Sequence, residues 1–287
     1  MLPKTLASAL QQDYPNTEII LYDDGSTDET PSLAASYGEQ VKYVRNPNAG
    51  IAFARTKACL EASGELIAFL DDDDLMPPNR LSVLYDAMRR NPEAKYAVGE
   101  LAVIDQSDRI VQSPLVQNHL ETILPDGFEA VLWPRAPITV HTALFRKSDG
   151  EEIGWFNAEF SDAGEDKDFF ARLGKNAPIV YTPEVVSLYR RGHASLTQSN
   201  KFNVLRAQLR LFGNALADPT LSQDFCTRMH YRIYITLQQM IHHQSHQDFD
   251  RCFRCYYGLL SMKSKLRLRV FWLKQIVKRV LRIKARA

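Results

Sequence analysis

The stretch Leu66-Ile67-Ala68-Phe69-Leu70-Asp71-Asp72-Asp73-Asp74 decides how this sequence is read. Five apolar residues run straight into four carboxylates. An apolar run of that length predicts a strand buried on both faces. The acids then fall at its carboxyl end, where open α/β sheets bind their ligands. Neighbouring carboxylates repel by roughly 1 kcal/mol per close pair even in water. A hard divalent cation is the expected compensation, and a solvated acidic loop is the plain alternative. Asp74, the last of the four, is expected to cap the following turn.

Upstream, Leu2, Leu6, Ala9 and Leu10 recur at helical spacing and predict a helix over 2–12. Residues 18–22 read as a short strand ending in the turn-forming run Asp23-Asp24-Gly25-Ser26-Thr27-Asp28. Thr30-Pro31 has the form of a helix start. Residues 41–44 read as a strand, Asn46-Pro47-Asn48-Ala49-Gly50 as a break, and 51–62 as a helix stopped by Gly64. Pro77-Pro78 opens a helix running to about Asn91. This alternation predicts an α/β fold with a mostly parallel central sheet and helices on both faces. The turns at Asp23-Asp24 and Asp71–Asp74 would then share one edge, bringing distant acids to one cleft.

Downstream, residues 96–104, 109–112 and 138–145 read as antiparallel or mixed strands, and 128–133 as a short helix. Gly164-Glu165-Asp166-Lys167-Asp168 leads into a helix with acids in its first turn. Residues 179–182 and 185–189 read as two strands, followed by the polar loop Arg190-Arg191-Gly192-His193. From about Gln198 the pattern is helical. Two domains are therefore expected, an α/β domain over 1–197 and a helical extension over 198–287.

The net charge of +1 hides an asymmetry. Residues 251–287 hold 12 Lys and Arg and no acid, against 23 bases and 34 acids in the rest. Leu266, Val270, Leu273, Val277 and Val280 form an apolar face, with Lys265, Arg269, Lys274, Lys278, Arg279 and Arg282 beside it. This is the pattern of a basic amphipathic helix at an anionic membrane surface, with a helix docked on the protein core and solvated on its basic side as the plain alternative. No nucleic-acid motif accompanies the charge, so nucleic acid is not an expected partner. No run of 18 apolar residues predicts a membrane-spanning helix. Four scattered cysteines fit a reducing cytosol, and the N-terminus lacks the pattern of a signal peptide. The lone Cys252-Phe253-Arg254-Cys255, near His242, His243 and His246, has no second cysteine pair to complete a zinc site.

Four segments in order resemble family 2 glycosyltransferases, which have the GT-A fold: residues 18–28, residues 46–55, Gly64 through Asp74, and Gly164-Glu165-Asp166. The resemblance spans roughly residues 1–197. It implies a metal-dependent, inverting transfer of sugar from a nucleotide-sugar, with a UDP-sugar favoured, to a hydroxyl of a surface or cell-wall glycan. By resemblance, Asp24 reads the uracil ring and Gly50 lies in the donor-binding turn. Asp71 and Asp73 bind Mn²⁺ or Mg²⁺ bridging the diphosphate, while Asp72 faces the ribose. His141 lies near the sugar, His193 near the metal and Arg191 near the phosphates, while Arg55 pairs either with phosphate or with the acid cluster. Asp166 is the general base. Asp166 and Asp168 could instead serve only the helix dipole, and His141 could be a packed structural histidine. Family members begin with an apolar strand that walls the base pocket, and this chain starts where the following helix starts. That departure leaves a non-catalytic sugar-nucleotide- or membrane-binding relative as the alternative. An aspartyl-phosphate phosphotransferase is disfavoured because Asp74-Leu75 stands where that class has small polar residues. The implied setting is the cytoplasm, peripheral on the inner face of the plasma membrane, with a lipid-linked acceptor.

Overall fold

The computed structural model describes residues 1–114, 120–133, 136–160, 163–192, 201–243, 246–271 and 273. The chain divides into two compact units, Met1–Ala194 and Ser195–Ala287.

The first unit opens with α1 (Leu2–Leu10), β1 (Ile20–Asp23), α2 (Thr30–Ser36), β2 (Lys42–Arg45), α3 (Ile51–Glu61), β3 (Leu66–Ala68) and α4 (Arg80–Arg90). It continues through β4 (Tyr96–Ile104), β5 (Ile110–Gln112), β6 (Thr122–Leu124), α5 (Gly127–Leu132), β7 (Ala143–Arg146) and α6 (Lys147–Glu152). Helix α7 (Glu165–Leu173) and β8 (Ile179–Arg190) close it. The predicted alternation over the first ninety residues is present.

The pairing is not the expected one. Strands β1 and β2 form a parallel pair of their own. The larger sheet has the order β3-β7-β4-β8-β6, with β5 on β4. Only β4–β8 is parallel within it; the β3–β7, β4–β7, β4–β5 and β6–β8 pairs are antiparallel. The central sheet is therefore mixed rather than mostly parallel. Local alternation sets the type of each element, but β3 takes its neighbour from a strand nearly eighty residues later.

Two other readings change. Residues 179–190 form one strand, not two, and its register slips against β4 between Val98 and Glu100. Pro183 lies in that irregularity, where no ladder hydrogen bond needs its missing N–H. His141 lies not on a strand but in a tight turn, Val140–Thr142, held by reciprocal bonds between Thr139 and Thr142. Strand β7 begins just after it.

Strand β4 is buried along its whole length. Leu84, Ala87 and Met88 of α4 pack with Ala97, Leu144, Val180 and Val186 from β4, β7 and β8. A second, aromatic cluster lies below the end of β3. Phe156 and Phe169 stack at 4.3 Å, and Phe69 meets Phe156 edge-on at 5.5 Å. These rings link the acid-bearing chain after β3 to α7. Helix α7 is placed at its other end by glycine against glycine: a Cβ on Gly174 would fall 2.6 Å from Gly127 Cα. That approach lets Phe128 N donate to Gly174 O at 3.2 Å.

The second unit consists of α8 (Lys201–Leu216), α9 (Gln223–Met240), α10 (Phe249–Tyr257) and α11, residues 262–271. Leu209, Met229, Ile233, Leu237 and Met240 form its centre. On α11, Leu268 is buried while Met262, Leu266 and Val270 are exposed. No described helix is long and apolar enough to cross a membrane.

Gly174→Ala should destabilise the protein by about 1–3 kcal/mol in urea denaturation, because the new methyl meets backbone that cannot rotate away. A variant as stable as the parent would contradict the close approach of α5 and α7.

Candidate active site

Four devices hold the backbone of the acidic loop. The Thr5 hydroxyl on α1 is shared between Asp72 O (3.0 Å) and Asp74 O (2.9 Å). Leu75 and Leu188 of β8 exchange both backbone hydrogen bonds, at 3.1 and 3.0 Å. Arg190, at the end of β8, donates from Nε to Asp73 O at 2.7 Å and from its own N–H to Asp74 Oδ1 at 2.8 Å. Arg80, the first residue of α4, donates from Nη2 to Phe69 O at 2.8 Å. Asp74 is thus fully buried and bonded across to β8, not the cap of the next turn.

Arg55 joins the loop to a second element. Its Nη2 donates to Asp71 Oδ1 at 2.7 Å and its Nη1 to Glu165 Oε1. Glu165 opens α7, and Asp166 follows it. Burial works against ionisation of Asp71, but Arg55 and His141 outweigh it and hold that carboxyl well below the usual carboxylate range. Glu165 goes the other way: burial, aided by Asp166, pushes it up to about 7 despite Arg55.

His141 faces the loop from the turn before β7. Its Nδ1 lies 3.5 Å from Asp71 Oδ2 and 3.5 Å from Asp74 Oδ2. Neither contact meets hydrogen-bond geometry, so both ring nitrogens and Asp74 Oδ2 are buried without a hydrogen-bond partner among the described residues. Burial raises the Asp74 carboxyl to about 6. The His141 ring stacks on Tyr189 at 5.4 Å, and the Arg191 guanidinium lies 5.7 Å from the same Tyr189 ring.

Ligand atoms of Asp71, Asp74 and His141 all lie within 4.8 Å of one another. Two carboxylate oxygens and one imidazole nitrogen make a donor set suited to a divalent cation. The unpartnered atoms of Asp74 and His141 are the ones such an ion would satisfy. The sequence resemblance points to Asp71, Asp73 and His193. Asp71 is common to both sets, Asp73 is half-buried in the same loop, and His193 lies outside the described residues. Asp72 is exposed.

Asp24 lies in the other sequence-predicted acidic turn, directly after β1. Its two oxygens accept from Ala49 N and Gly50 N, each at 2.9 Å, which ties the turn after β1 to the start of α3. Gly50 has φ +92°, a conformation that favours glycine. The neighbouring Asp23 is buried and bonds Ser26 N (2.6 Å) and the Tyr43 hydroxyl (2.5 Å). At the start of α7 the two acids differ. Asp168 is buried and pairs with Arg172 at 2.8 Å, a structural bond one turn along the helix. Asp166 is half-exposed, with Oδ1 accepting from Lys167 N at 2.7 Å.

Residues 1–154 match the family described as Glycosyl transferase family 2. The chain belongs to glycosyltransferase family 2. A relative from Escherichia coli, the UDP-Glc:alpha-D-GlcNAc-diphosphoundecaprenol beta-1,3-glucosyltransferase WfgD, is 33% identical over 221 residues, 75% of this chain and 81% of its own. An uncharacterized glycosyltransferase of Rickettsia conorii is 27% identical over 64% of this chain, which spans only 31% of that relative's length. Among solved structures, Staphylococcus aureus TarS 1-349 in complex with UDP-GlcNAc superposes with a TM-score of 0.63 at 16% identity, over 92% of this chain and 78% of its own. That likeness shows a shared GT-A-like fold: a central sheet flanked by helices.

In this glycosyltransferase-family chain, the sequence motifs do not single out Glu165, Arg80 or Tyr189 and give Asp74 a lesser part, while Arg190, expected beside Arg191 near the phosphates, instead bonds the acidic loop. Glu165 sat inside a quoted motif, between Gly164 and Asp166. Arg80 carries no local signal, because nothing in a helix start marks a side chain that the fold will bury.

The raised Glu165 carboxyl sets a stability slope. The folded protein keeps a proton there that the unfolded chain, titrating near 4.5, releases. Folding is therefore favoured less as pH rises from about 4.5 through about 7. Glu165→Gln should flatten the fall in melting temperature over that window, measured in a chelator. An unchanged slope would show that the carboxyl is not raised.

Proposed function

We propose that this chain transfers a glycosyl group from a UDP-sugar to a hydroxyl of a lipid-linked surface or cell-wall glycan, with inversion at the anomeric carbon. The observation that carries this reading is Arg55, whose single guanidinium bonds Asp71 at the acidic strand end and Glu165 beside Asp166. The acids suited to a cation and the candidate base are thereby fixed about one site.

In this reading Asp166 takes the proton from the acceptor hydroxyl as its oxygen attacks the anomeric carbon. The bond from that carbon to the nucleoside diphosphate breaks on the opposite side, and the diphosphate leaves with the electron pair. When bound, Mn²⁺ or Mg²⁺ on Asp71, with Asp73, Asp74 and His141 as further ligands, supplies Lewis-acid charge toward the leaving group. Arg191, resting on Tyr189, adds positive charge for the phosphates. The turn of Asp24 and Gly50 receives the base, and exposed Asp72 faces the ribose.

The UDP donor is supported by the name of WfgD and by the UDP-GlcNAc complex of TarS. A lipid-linked acceptor is supported by the substrate named for WfgD and by α11. Met262 (84% exposed), Leu266 (64%), Val270 and Leu273 (62%) recur at spacings of four, four and three along that helix. At a helical pitch, Lys263 and Arg267 flank this stripe on one side and Lys265 and Arg269 on the other. Basic side chains on both rims of an apolar stripe suit an anionic bilayer interface, where their stems lie along the apolar layer. The protein would then work peripherally on the cytoplasmic face of the cell envelope membrane.

Asp166→Asn should cut UDP release in the presence of acceptor by roughly 100-fold or more while leaving UDP-sugar binding nearly unchanged. Asp73→Ala should weaken Mn²⁺-dependent donor binding itself. Normal transfer by both variants would overturn these roles, and donor binding without turnover on any lipid-linked acceptor would favour the non-catalytic alternative. Separately, Leu266→Glu should lower co-sedimentation with phosphatidylglycerol vesicles. Equal binding by parent and variant would remove α11 as the membrane contact.

A further inference from the structure

We propose that Arg80 is a positioning residue, a permanently buried cation beneath the acidic loop that weakens the loop's hold on a free divalent cation and strengthens its pull on an anionic diphosphate. The inference rests on reading that loop as the cation and diphosphate site.

Arg80 is fully buried. Among the described residues its one hydrogen bond runs from Nη2 to Phe69 O, and its Nε and Nη1 have no hydrogen-bond partner. Each buried donor left unmade carries the desolvation penalty of that group. The location adds a second penalty: Arg80 opens α4, and the start of a helix is the positive end of its dipole. A neutral donor could serve the Phe69 carbonyl at less cost, so that bond does not account for a guanidinium here.

Asp71 and Asp74 do account for it. They are the charged groups that act on Arg80 most, and both favour its charged form. Burial draws the guanidinium down only to about 10, so it stays a cation at any working pH. The other basic groups on the loop, Arg55 and Arg190, bond to it directly. Arg80 bonds no carboxylate among the described residues, so a ligand entering above the loop does not compete with a bond it already makes. Its charge is a fixed background that every ligand at Asp71 and Asp74 meets.

Such a background acts with opposite sign on the two halves of a metal–diphosphate ligand, and that separates it from a merely structural role. Arg80→Met should bind Mn²⁺ about 5- to 10-fold more tightly in the absence of donor, read by Mn²⁺ electron paramagnetic resonance. The same variant should bind UDP more weakly by a similar factor in a chelator, read by calorimetry. Arg80→Lys, which keeps the charge and loses the planar fork, should return both affinities to within about twofold of the parent. If the side chain only holds the Phe69 carbonyl, Arg80→Met would loosen the loop, Mn²⁺ affinity would fall, and lysine would not restore it; that result overturns the proposal. Should Arg80→Met not fold, Arg80→Lys decides alone: parental Mn²⁺ affinity supports the charge role and a clear loss overturns it. A parent protein that binds no Mn²⁺ would overturn the reading of the loop and this inference together, whereas Mn²⁺ binding unchanged in Arg80→Met would overturn the inference only.

Discussion

The structure around the acidic loop is governed by the cost of confining four consecutive carboxylates at a strand end. The protein meets that cost with its own cations, brought from three separate elements. Arg55 from α3 bonds the Asp71 carboxylate, Arg190 from β8 bonds the Asp73 carbonyl, and Arg80 from α4 lies buried beneath. The four acids are not treated alike. Asp72 is left exposed, Asp71 is held ionised, and Asp74 is buried until its carboxyl rises to about 6. One loop therefore presents acids of different proton affinity within a few ångströms, by environment alone.

Holding those charges in place requires a stiff frame. Phe69 immediately precedes the loop and packs on Phe156, which stacks on Phe169 of α7. Arg55 then makes the polar connection between the same two elements, from Asp71 to Glu165. An apolar link below and a polar link above fix Asp166 relative to Asp71, although 95 positions separate them in sequence. Close packing gives the aromatic contact little room to shift, and the ion pair sets direction.

The parts legible in the sequence were those with local causes. The strand running into four acids, the helices over 2–10, 51–61 and 80–90, and the acids opening α7 all follow from periodicity and turn chemistry. What escaped were pairings made across the fold. The mixed sheet depends on β3 finding β7, and no alternation of apolar and polar residues encodes a partner that distant. His141 looked like a strand residue because Val140 and Ala143–Phe145 are apolar around it, whereas Thr139 and Thr142 close a turn there. Arg55 was read as a phosphate ligand or an acid partner; the structure gives it two acid partners. Arg80, at the head of an ordinary helix, gave no sign of being buried.

These resident cations change the argument from which the sequence reading began. Four acids in a row suggested that a metal ion must compensate them. With Arg55, Arg80 and Arg190 already on the loop, and Asp74 and Glu165 both raised toward neutrality, most of that repulsion is met before any ligand arrives. A site so balanced has little excess negative charge with which to capture a cation alone, and little excess positive charge to capture a diphosphate alone. A divalent cation joined to a diphosphate brings both signs together and leaves the balance nearly undisturbed. On the proposed function, this charge arrangement suits the two arriving as one ligand, with Asp71, Asp74 and His141 as the candidate donors. On that reading, selectivity for a metal-bound nucleotide over either component would follow from near-neutrality, not from the excess of acid that the sequence displays.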